Sequence, residues 1–221
     1  MLQTTDSLFP TGAYAHSYGL EGAVEDGYIN DPDTFKTYLM KIILPAMIHL
    51  ELPSVAQAFE AAKSLDSSKI TLLDELYGAM KVTVEIRTAS ERIGTQRLSL
   101  LQTLMPHPFL NKLDNLKNQG DFQAHEAIVL GIQGALSGAD KRHTMIAAYY
   151  LGLSMQANAV FKLIRIGQIQ CQSIVASCLS KTDEVIENAL KVSMEDIGWF
   201  SPSLDICSAR HESAYSRIFI S

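Results

Sequence analysis

The sequence predicts an all-α protein: a single-domain helical bundle with extended or partly helical N- and C-terminal segments. Apolar residues recur at the three- and four-residue spacing of amphipathic helices, and helix-start and helix-stop signals separate these runs. The chain has 221 residues, of which 47% are hydrophobic and 19% charged, as in an ordinary globular protein with a sizeable core. We therefore expect one domain over residues 1–221, in which residues 1–19 and residues 198–221 carry little helical periodicity.

Helix signals begin at Asp31-Pro32, where the carboxylate can cap free N–H groups and proline is preset for the first turn. Pro45 and Pro53 predict that the helix starting there is kinked or divided, because proline removes a helical hydrogen bond. A second helix is predicted from about Ser68. Its expected apolar stripe consists of Leu72, Leu73, Leu76 and Met80.

The next helix is predicted to begin near Thr88, which has capping-box spacing with Glu91. Residues 81–86 alternate like a strand, yet a lone strand would have no partner, so helix is the better interpretation. Gly94 predicts a close approach by another element. Prolines within residues 105–108 end this helix.

The second half of the chain continues the helical pattern. A helix rich in small residues is predicted over 125–138, a long central helix over 141–166, another over 168–178 and a last one over 182–196. The central helix is apolar nearly all round between residues 145 and 164. That pattern suits the middle of a bundle better than a membrane span, since the segment contains polar side chains and would barely cross a bilayer.

Charge and cysteine content exclude several classes of function. The formal net charge of −6 argues against a nucleic-acid partner, which would require clustered Lys and Arg. The three cysteines have no metal-type spacing and an odd number, so reduced thiols in the cytoplasm are the simpler interpretation. No signal peptide opens the sequence, because Asp6, Pro10 and Gly12 interrupt the apolar run. We expect a cytoplasmic protein that neither enters a membrane nor binds nucleic acid.

Catalytic motifs are incomplete throughout the chain. Gly131, Gly134 and Gly138 are not followed by the Gly-Lys-Ser/Thr of a phosphate-binding loop, so close helix packing is expected there. Residues 15–19 are one residue away from the Gly-x-Ser-x-Gly nucleophile elbow, but lack the strand that must enter it. A structural role near a helix N-terminus is therefore expected for Ser17, and we predict a protein that is not an enzyme and carries no cofactor.

Histidines give a weak case for a resident metal. The six histidines are scattered, and neither His125-Glu126 nor His211-Glu212 has a second His at the spacing of zinc proteases. No metal site within one chain is predicted. A transient site, or one at a dimer interface involving His16 or His211, remains open.

Two longer motifs carry a family resemblance. The opening includes Phe9-Pro10-Thr11-Gly12-Ala13-Tyr14 and His16-Ser17-Tyr18-Gly19-Leu20-Glu21, and the end includes Ser208-Ala209-Arg210-His211-Glu212 and Tyr215-Ser216-Arg217-Ile218-Phe219. These stretches resemble the N- and C-terminal signatures of the UreF family of urease accessory proteins. Residues 87–94 and 163–168 resemble two further family segments between them.

The resemblance implies a non-catalytic, all-helical scaffold. UreF proteins dimerise, bind the accessory protein UreD (UreH in some organisms) and recruit the GTPase UreG. The assembly docks on apo-urease, where nickel insertion is coupled to GTP hydrolysis, and modulation of the GTPase has been proposed for the family. Since the partner hydrolyses the nucleotide, this implication agrees with the missing phosphate-binding loop. A direct nickel-carrying metallochaperone is the alternative, and a hydrolase using Ser17 ranks below both.

The resemblance and side-chain chemistry together select the residues expected to bind partners. Tyr and Arg are the commonest residues in interface hot spots, which suits Tyr14 in the first signature and Arg217 in the tail. The expected partner-binding set is Tyr14, His16, Arg210, His211, Tyr215, Arg217 and Phe219. A cap on a helix C-terminus is the alternative role for Arg217. For Tyr18, packing in the core is expected.

Overall fold

The structure is a computed structural model that describes residues 2–6, 9–212, 214 and 217–220. It is helical, and the described residues contain no strand, which confirms the predicted fold class. The helices, numbered in chain order, are α1 Leu2–Thr5, α2 Leu20–Glu25, α3 Pro32–Lys63, α4 Ser67–Met80, α5 Val84–Leu104, α6 Pro108–Gln119, α7 Glu126–Leu136, α8 Lys141–Leu163, α9 Gln168–Leu179, α10 Thr182–Leu190 and α11 Pro202–His211.

Helix α3 runs through both of its prolines without dividing, so division, one of the two predicted outcomes, does not occur. Two π-helical turns, Leu39–Ile43 and Met47–Glu51, accommodate Pro45 and Pro53. The N–H that Pro53 lacks would have bonded the carbonyl of His49, and the Gly198 N–H donates to that carbonyl instead at 3.0 Å. The α3 backbone therefore anchors the segment that leads into α11.

Helix α4 buries a different face from the one predicted. Ile70, Leu73 and Tyr77 point into the core, whereas Leu72, Leu76 and Met80 are 50%, 40% and 40% exposed. The predicted stripe and the buried stripe share Leu73 and differ by a rotation about the helix axis. Both have helical spacing, so periodicity alone did not choose between them.

Helices α5 and α6 show where local signals misled the prediction. Helix α5 begins at Val84, a turn before Thr88, and residues 81–83 are not helical. Helix α6 was not predicted; His107 caps it by accepting the Phe109 N–H on its ring, with Pro108 at the first helical position. Gly94 does permit a close approach, since a Cβ there would collide with the Ala124 carbonyl.

The core is centred on α7, which packs against α3, α5 and α8. A side chain at Gly131 would collide with the backbone of Val55, and one at Gly134 with Thr144. Gly131 and Gly134 therefore permit close helix packing, as predicted. The same prediction is wrong for Gly138, because a Cβ there would meet nothing within 4 Å; its φ of 70° lies in the left-handed region that favours glycine. Met145, Tyr149 and Leu153 of α8 are fully buried, and Tyr149 donates to the Cys178 carbonyl at 2.8 Å.

The later helices keep their predicted order with shorter bounds. Helix α8 ends at Leu163, and α10 ends at Leu190 before a 3₁₀ turn, Met194–Asp196. The tail contains a helix, α11, in agreement with a partly helical C-terminal segment, although its weak periodicity did not give the bounds. Among the described helices, α3 is long and apolar enough to cross a membrane, but 50% of its most apolar stretch is buried inside the fold.

Candidate functional site: the terminal junction

The two ends of the chain lie side by side. Gly12, with φ of 82°, turns the chain into a 3₁₀ turn, Ala13–Ala15, whose last carbonyl accepts the Ile220 N–H at 2.9 Å. The N-terminal and C-terminal motifs are therefore neighbours in space, although about two hundred residues separate them.

Glu21 holds residues 218–219 of the tail against the fold. It is buried on α2, and its carboxylate accepts the Ile218 N–H at 2.7 Å and the Phe219 N–H at 2.9 Å. Ser17 positions the same helix, because its buried Oγ accepts the Glu21 N–H at 3.3 Å. The contact confirms the structural role predicted for Ser17.

His211, at the end of α11, is buried between two carboxylates. Its Nε2 lies 3.0 Å from Glu21 Oε2 and its Nδ1 lies 2.8 Å from Glu85 Oε2. Glu85 comes from the first turn of α5, so the imidazole joins α2, α5 and α11. With both ring nitrogens engaged, His211 has no free nitrogen for a metal, and the described residues contain no cluster of three or more metal ligands.

Arg217 connects the largely buried carboxylate of Glu85 to the surface of the protein. Its Nη1 donates to Glu85 Oε1 at 2.7 Å, and its Nη2 donates to the Glu212 carbonyl at 2.9 Å. The second contact caps the C-terminus of α11, the alternative role considered for this residue. The side chain is still 37% exposed, so the guanidinium is oriented by the protein and accessible from outside.

Lys162, near the end of α8, joins the two signatures through their aromatic rings. Its Nζ lies 3.7 Å from the centre of the Tyr14 ring and 4.7 Å from that of Phe219, as cation–π contacts do. Phe219 is buried, whereas Tyr14 is 64% exposed. Ile218 and Ile220 alternate with Phe219 and point outward, at 60% and 55% exposure.

We call this arrangement the terminal junction and define it as Tyr14, Glu21, Glu85, Lys162, His211 and residues 217–220. Its inner side is a network of buried charges, and its outer side presents Tyr14, Arg217, Ile218 and Ile220. Such a surface offers aromatic, cationic and apolar contacts that are held in place by hydrogen bonds, which suits the recognition of another protein.

The structure brings most of the predicted site residues to this region. Tyr14, His211, Arg217 and Phe219 belong to the junction, and Arg210 lies on the exposed face of α11, where it donates to Asp26 at 3.1 Å. His16 is buried, with its ring centre 6.3 Å from that of Tyr18, and burial together with nearby Arg92 lowers its pKa. Tyr215 lies outside the described residues.

Sequence reasoning did not select Glu21, Glu85 or Lys162. Glu21 ends the N-terminal motif and could have been chosen on that ground. Glu85 and Lys162 lie in helices with no distinguishing pattern, and only the fold brings them to the tail.

A second polar cluster lies beneath the N-terminal segment. Tyr18 donates to Glu126 Oε2 at 2.9 Å, and Arg97, fully buried, donates to Gln133 at 3.1 Å and lies 3.9 Å from Glu126. Burial raises the pKa of the Glu126 carboxyl and that of the Tyr18 hydroxyl. Tyr18 thus packs against the core and bonds its hydroxyl locally, as expected.

Comparison with known proteins places this helical fold among proteins that assist an enzyme. The model of the UreF family matches residues 29–179. Three relatives are each named urease accessory protein UreF. That of Bacillus sp. (strain TB-90) is 28% identical over 221 residues, covering 100% of this chain and 97% of its own. The protein of Actinobacillus pleuropneumoniae is 26% identical over 222 residues, which cover 100% of this chain and 97% of that protein. The protein of Corynebacterium efficiens is 28% identical over 221 residues, which cover 100% of this chain and 95% of that protein.

The chain belongs to the UreF family. The resemblance drawn from the terminal motifs is thereby confirmed, and the aligned relatives extend over the terminal junction as well as over the helical core.

Proposed function

We propose that this protein is a urease accessory protein that acts as a non-catalytic scaffold. It bridges a UreD/UreH-type protein and a UreG-type GTPase for the insertion of nickel into apo-urease, and modulation of the GTPase is a finer part of the same proposal. The names of the relatives support the urease context. We further propose that residues 1–221 act as one domain, that the protein is a homodimer and that it works in the cytoplasm, where its three buried thiols stay reduced.

The observation that carries the scaffold proposal is the terminal junction. A free tail would have to become ordered on binding, at a cost in conformational entropy. Here Glu21 and Glu85 already hold the tail, while Tyr14, Arg217, Ile218 and Ile220 face outward. We therefore assign the UreD/UreH-type contact to the terminal junction.

The two roles considered for Arg217 are compatible in this geometry. Its contacts with Glu85 and the Glu212 carbonyl use two of its five N–H groups and fix the orientation of the guanidinium. The remaining donors and the planar face are available to a partner's carboxylate or aromatic ring. We propose partner binding as the main role of Arg217 and capping as the means that orients it.

Co-purification tests the proposal directly. The protein is mixed with purified UreD/UreH-type protein and UreG-type GTPase, with and without GTP and nickel. The scaffold proposal expects a stable complex in which this subunit holds no metal. The absence of any complex, together with tight stoichiometric nickel uptake by the isolated protein, would instead establish the direct nickel carrier.

Arg217→Ala is the variant that tests the assigned contact. We expect its affinity for the UreD/UreH-type protein to fall by about tenfold or more, as for a hot-spot arginine, with little change in melting temperature. Arg142→Ala is a matched control, since Arg142 is also 37% exposed and donates to a carboxylate, that of Asp183, at 2.6 Å. A large loss of thermal stability with unchanged binding would show that Arg217 is structural.

A further inference from the structure

A second candidate surface lies on the exposed face of α4 and the cavity at its C-terminal end. The cavity has a volume of about 160 Å³ and is formed between α3, α8 and residues 199–205, with Met80, Lys81 and Val82 at its edge. None of the residues of the terminal junction lines it. Its lining is mostly apolar.

The charged side chains that line the cavity are mostly acidic. Three carboxylates line it, from Glu51, Glu126 and Asp205, against the single amine of Lys81. Lys81 and the Tyr77 hydroxyl both donate to Glu51, and Nη2 of Arg97 lies 3.9 Å from Glu126 Oε1. Among the described residues Asp205 makes no ion pair; burial, which raises the pKa of its carboxyl, outweighs the opposite effect of nearby Lys81. The cavity therefore favours a positively charged group.

Two buried polar atoms near the cavity lack a hydrogen-bond partner. They are Oε1 of Gln156, an acceptor on α8, and Nε1 of Trp199, a donor whose ring stacks on His49 at 5.3 Å. Both residues line the cavity. Leaving a buried polar atom unpaired costs about 1–3 kcal/mol, so a ligand that supplies both a donor and an acceptor would relieve both deficits. A cationic side chain supplies the donor that Gln156 Oε1 lacks.

An apolar stripe leads into the cavity. Leu72, Leu76 and Met80 are spaced by four residues along α4, and all three are substantially exposed. They span about 12 Å, the length of two turns of a second helix. Met80 also lies beside Gly198, next to the cavity wall, and Phe200, which follows Trp199, is 67% exposed. Exposed apolar residues that continue into a pocket are typical of a binding surface and not of scattered surface leucines.

We propose that this surface binds an amphipathic helix of a partner protein, which lays apolar side chains along Leu72, Leu76 and Met80 and inserts one lysine or arginine into the cavity. The partner's ammonium or guanidinium meets Asp205 and Gln156, and its apolar residues cover the stripe. The net charge of −6 on this chain favours such a basic partner. The inference rests on the proposed scaffold function and gives the scaffold a second contact, separate from the terminal junction.

The test measures binding of three purified probes, the UreD/UreH-type protein, the UreG-type GTPase and apo-urease, to the full chain and its variants. Leu76→Glu places a charge on the stripe, and Asp205→Asn removes the unpaired carboxylate without changing its shape. We expect each variant to weaken the binding of at least one probe by about tenfold. Asp205→Asn should also reduce the salt dependence of that binding, because it removes a charge. Leu104→Glu is the control, because Leu104 is 53% exposed at the end of a different helix.

The results of these binding measurements support or overturn the proposed α4 surface. Loss of binding in both Leu76→Glu and Asp205→Asn supports the proposed binding surface, provided that their circular dichroism is unchanged and the Leu104→Glu control binds normally. Leu72→Glu replaces Leu76→Glu if Leu76→Glu fails to fold. Unchanged binding of all three probes overturns it, and so does an effect confined to self-association in light scattering, which would assign the stripe to a second copy of this chain. If the wild-type protein binds none of the probes, the scaffold function itself fails.

Discussion

At the scale of single residues, the position of the tail depends on one buried carboxylate. Glu21 accepts two backbone N–H groups from residues 218–219 and lies within hydrogen-bond distance of His211. Carboxylate acceptors make stronger hydrogen bonds than neutral ones, and burial reduces competition from water. A single side chain in the first signature therefore determines whether the second signature is held against the fold.

Replacing Glu21 by Ala should release the tail. The change removes three contacts and leaves Nε2 of His211 and two backbone N–H groups without a partner, while Nδ1 of His211 keeps Glu85, so we expect the free energy of unfolding to fall by about 3 kcal/mol. Hydrogen exchange at Ile218 and Phe219 should become much faster. Glu25→Ala, at an exposed position on the same helix, should change neither. Retained protection of both amides in Glu21→Ala would show that the tail is held by other contacts.

His125 should give the fold a pH dependence of known sign. Burial, with smaller contributions from Lys81 and Arg87, lowers its pKa from 6.5 to about 4. Above pH 6.5 both the folded and unfolded states are neutral at this residue; as the pH falls towards 4, the unfolded state takes up a proton that the folded state does not. The folded protein therefore loses stability on acidification, by an amount on the order of 3 kcal/mol.

The measurement compares wild type with His125→Gln by urea unfolding at about pH 7 and about pH 4. The stability advantage of wild type over the variant should shrink at the lower pH. Asp74, whose pKa burial raises to about 6, titrates with the opposite sign but is present in both proteins and cancels from the comparison. His143→Gln, at an exposed position, should show no such change, and an advantage independent of pH would contradict the assignment to His125.

At the scale of helices, the sequence predicted the fold class and most of the elements but not their orientation. Helices α7, α8 and α9 were found within a few residues, because small-residue packing and caps are local signals. The prediction of which face of α4 is buried was wrong, because Leu72 and Leu76 are as apolar as Leu73. Only the neighbouring helices decide which of these leucines is covered. The bounds of α11 were not predicted within the partly helical C-terminal segment, because its buried residues, Cys207, Ser208 and His211, leave no extended apolar period.

The candidate site was predictable to the extent that its residues lie in motifs. Tyr14, His211 and Arg217 were selected from the two ends of the sequence, and the fold brings them together. Glu85 and Lys162 could not be selected, because a charged residue on an ordinary helix has no signal of its own. Their role arises only from the packing of α5 and α8 against the ends of the chain.

At the scale of the whole molecule, we predict a homodimer formed through α8. One side of this helix fills the core, while Tyr150 and Phe161 are 45% and 37% exposed. Light scattering of the purified protein should give twice the mass of one chain, and Tyr150→Arg should shift it towards the monomer. Tyr28→Arg, at an exposed tyrosine outside α8, should leave the dimer unchanged. A wild-type monomer at high concentration would contradict the prediction.

The contact between the two ends of the chain also bears on how the protein is made. Residues 217–220 are translated after Ala15, Glu21, Glu85 and Lys162, the residues that receive them. The helical core can therefore fold before the terminal surface forms, because that surface also requires residues 217–220. A prematurely terminated product would keep most of the bundle and lack this surface, so assembly through the terminal junction would exclude unfinished chains.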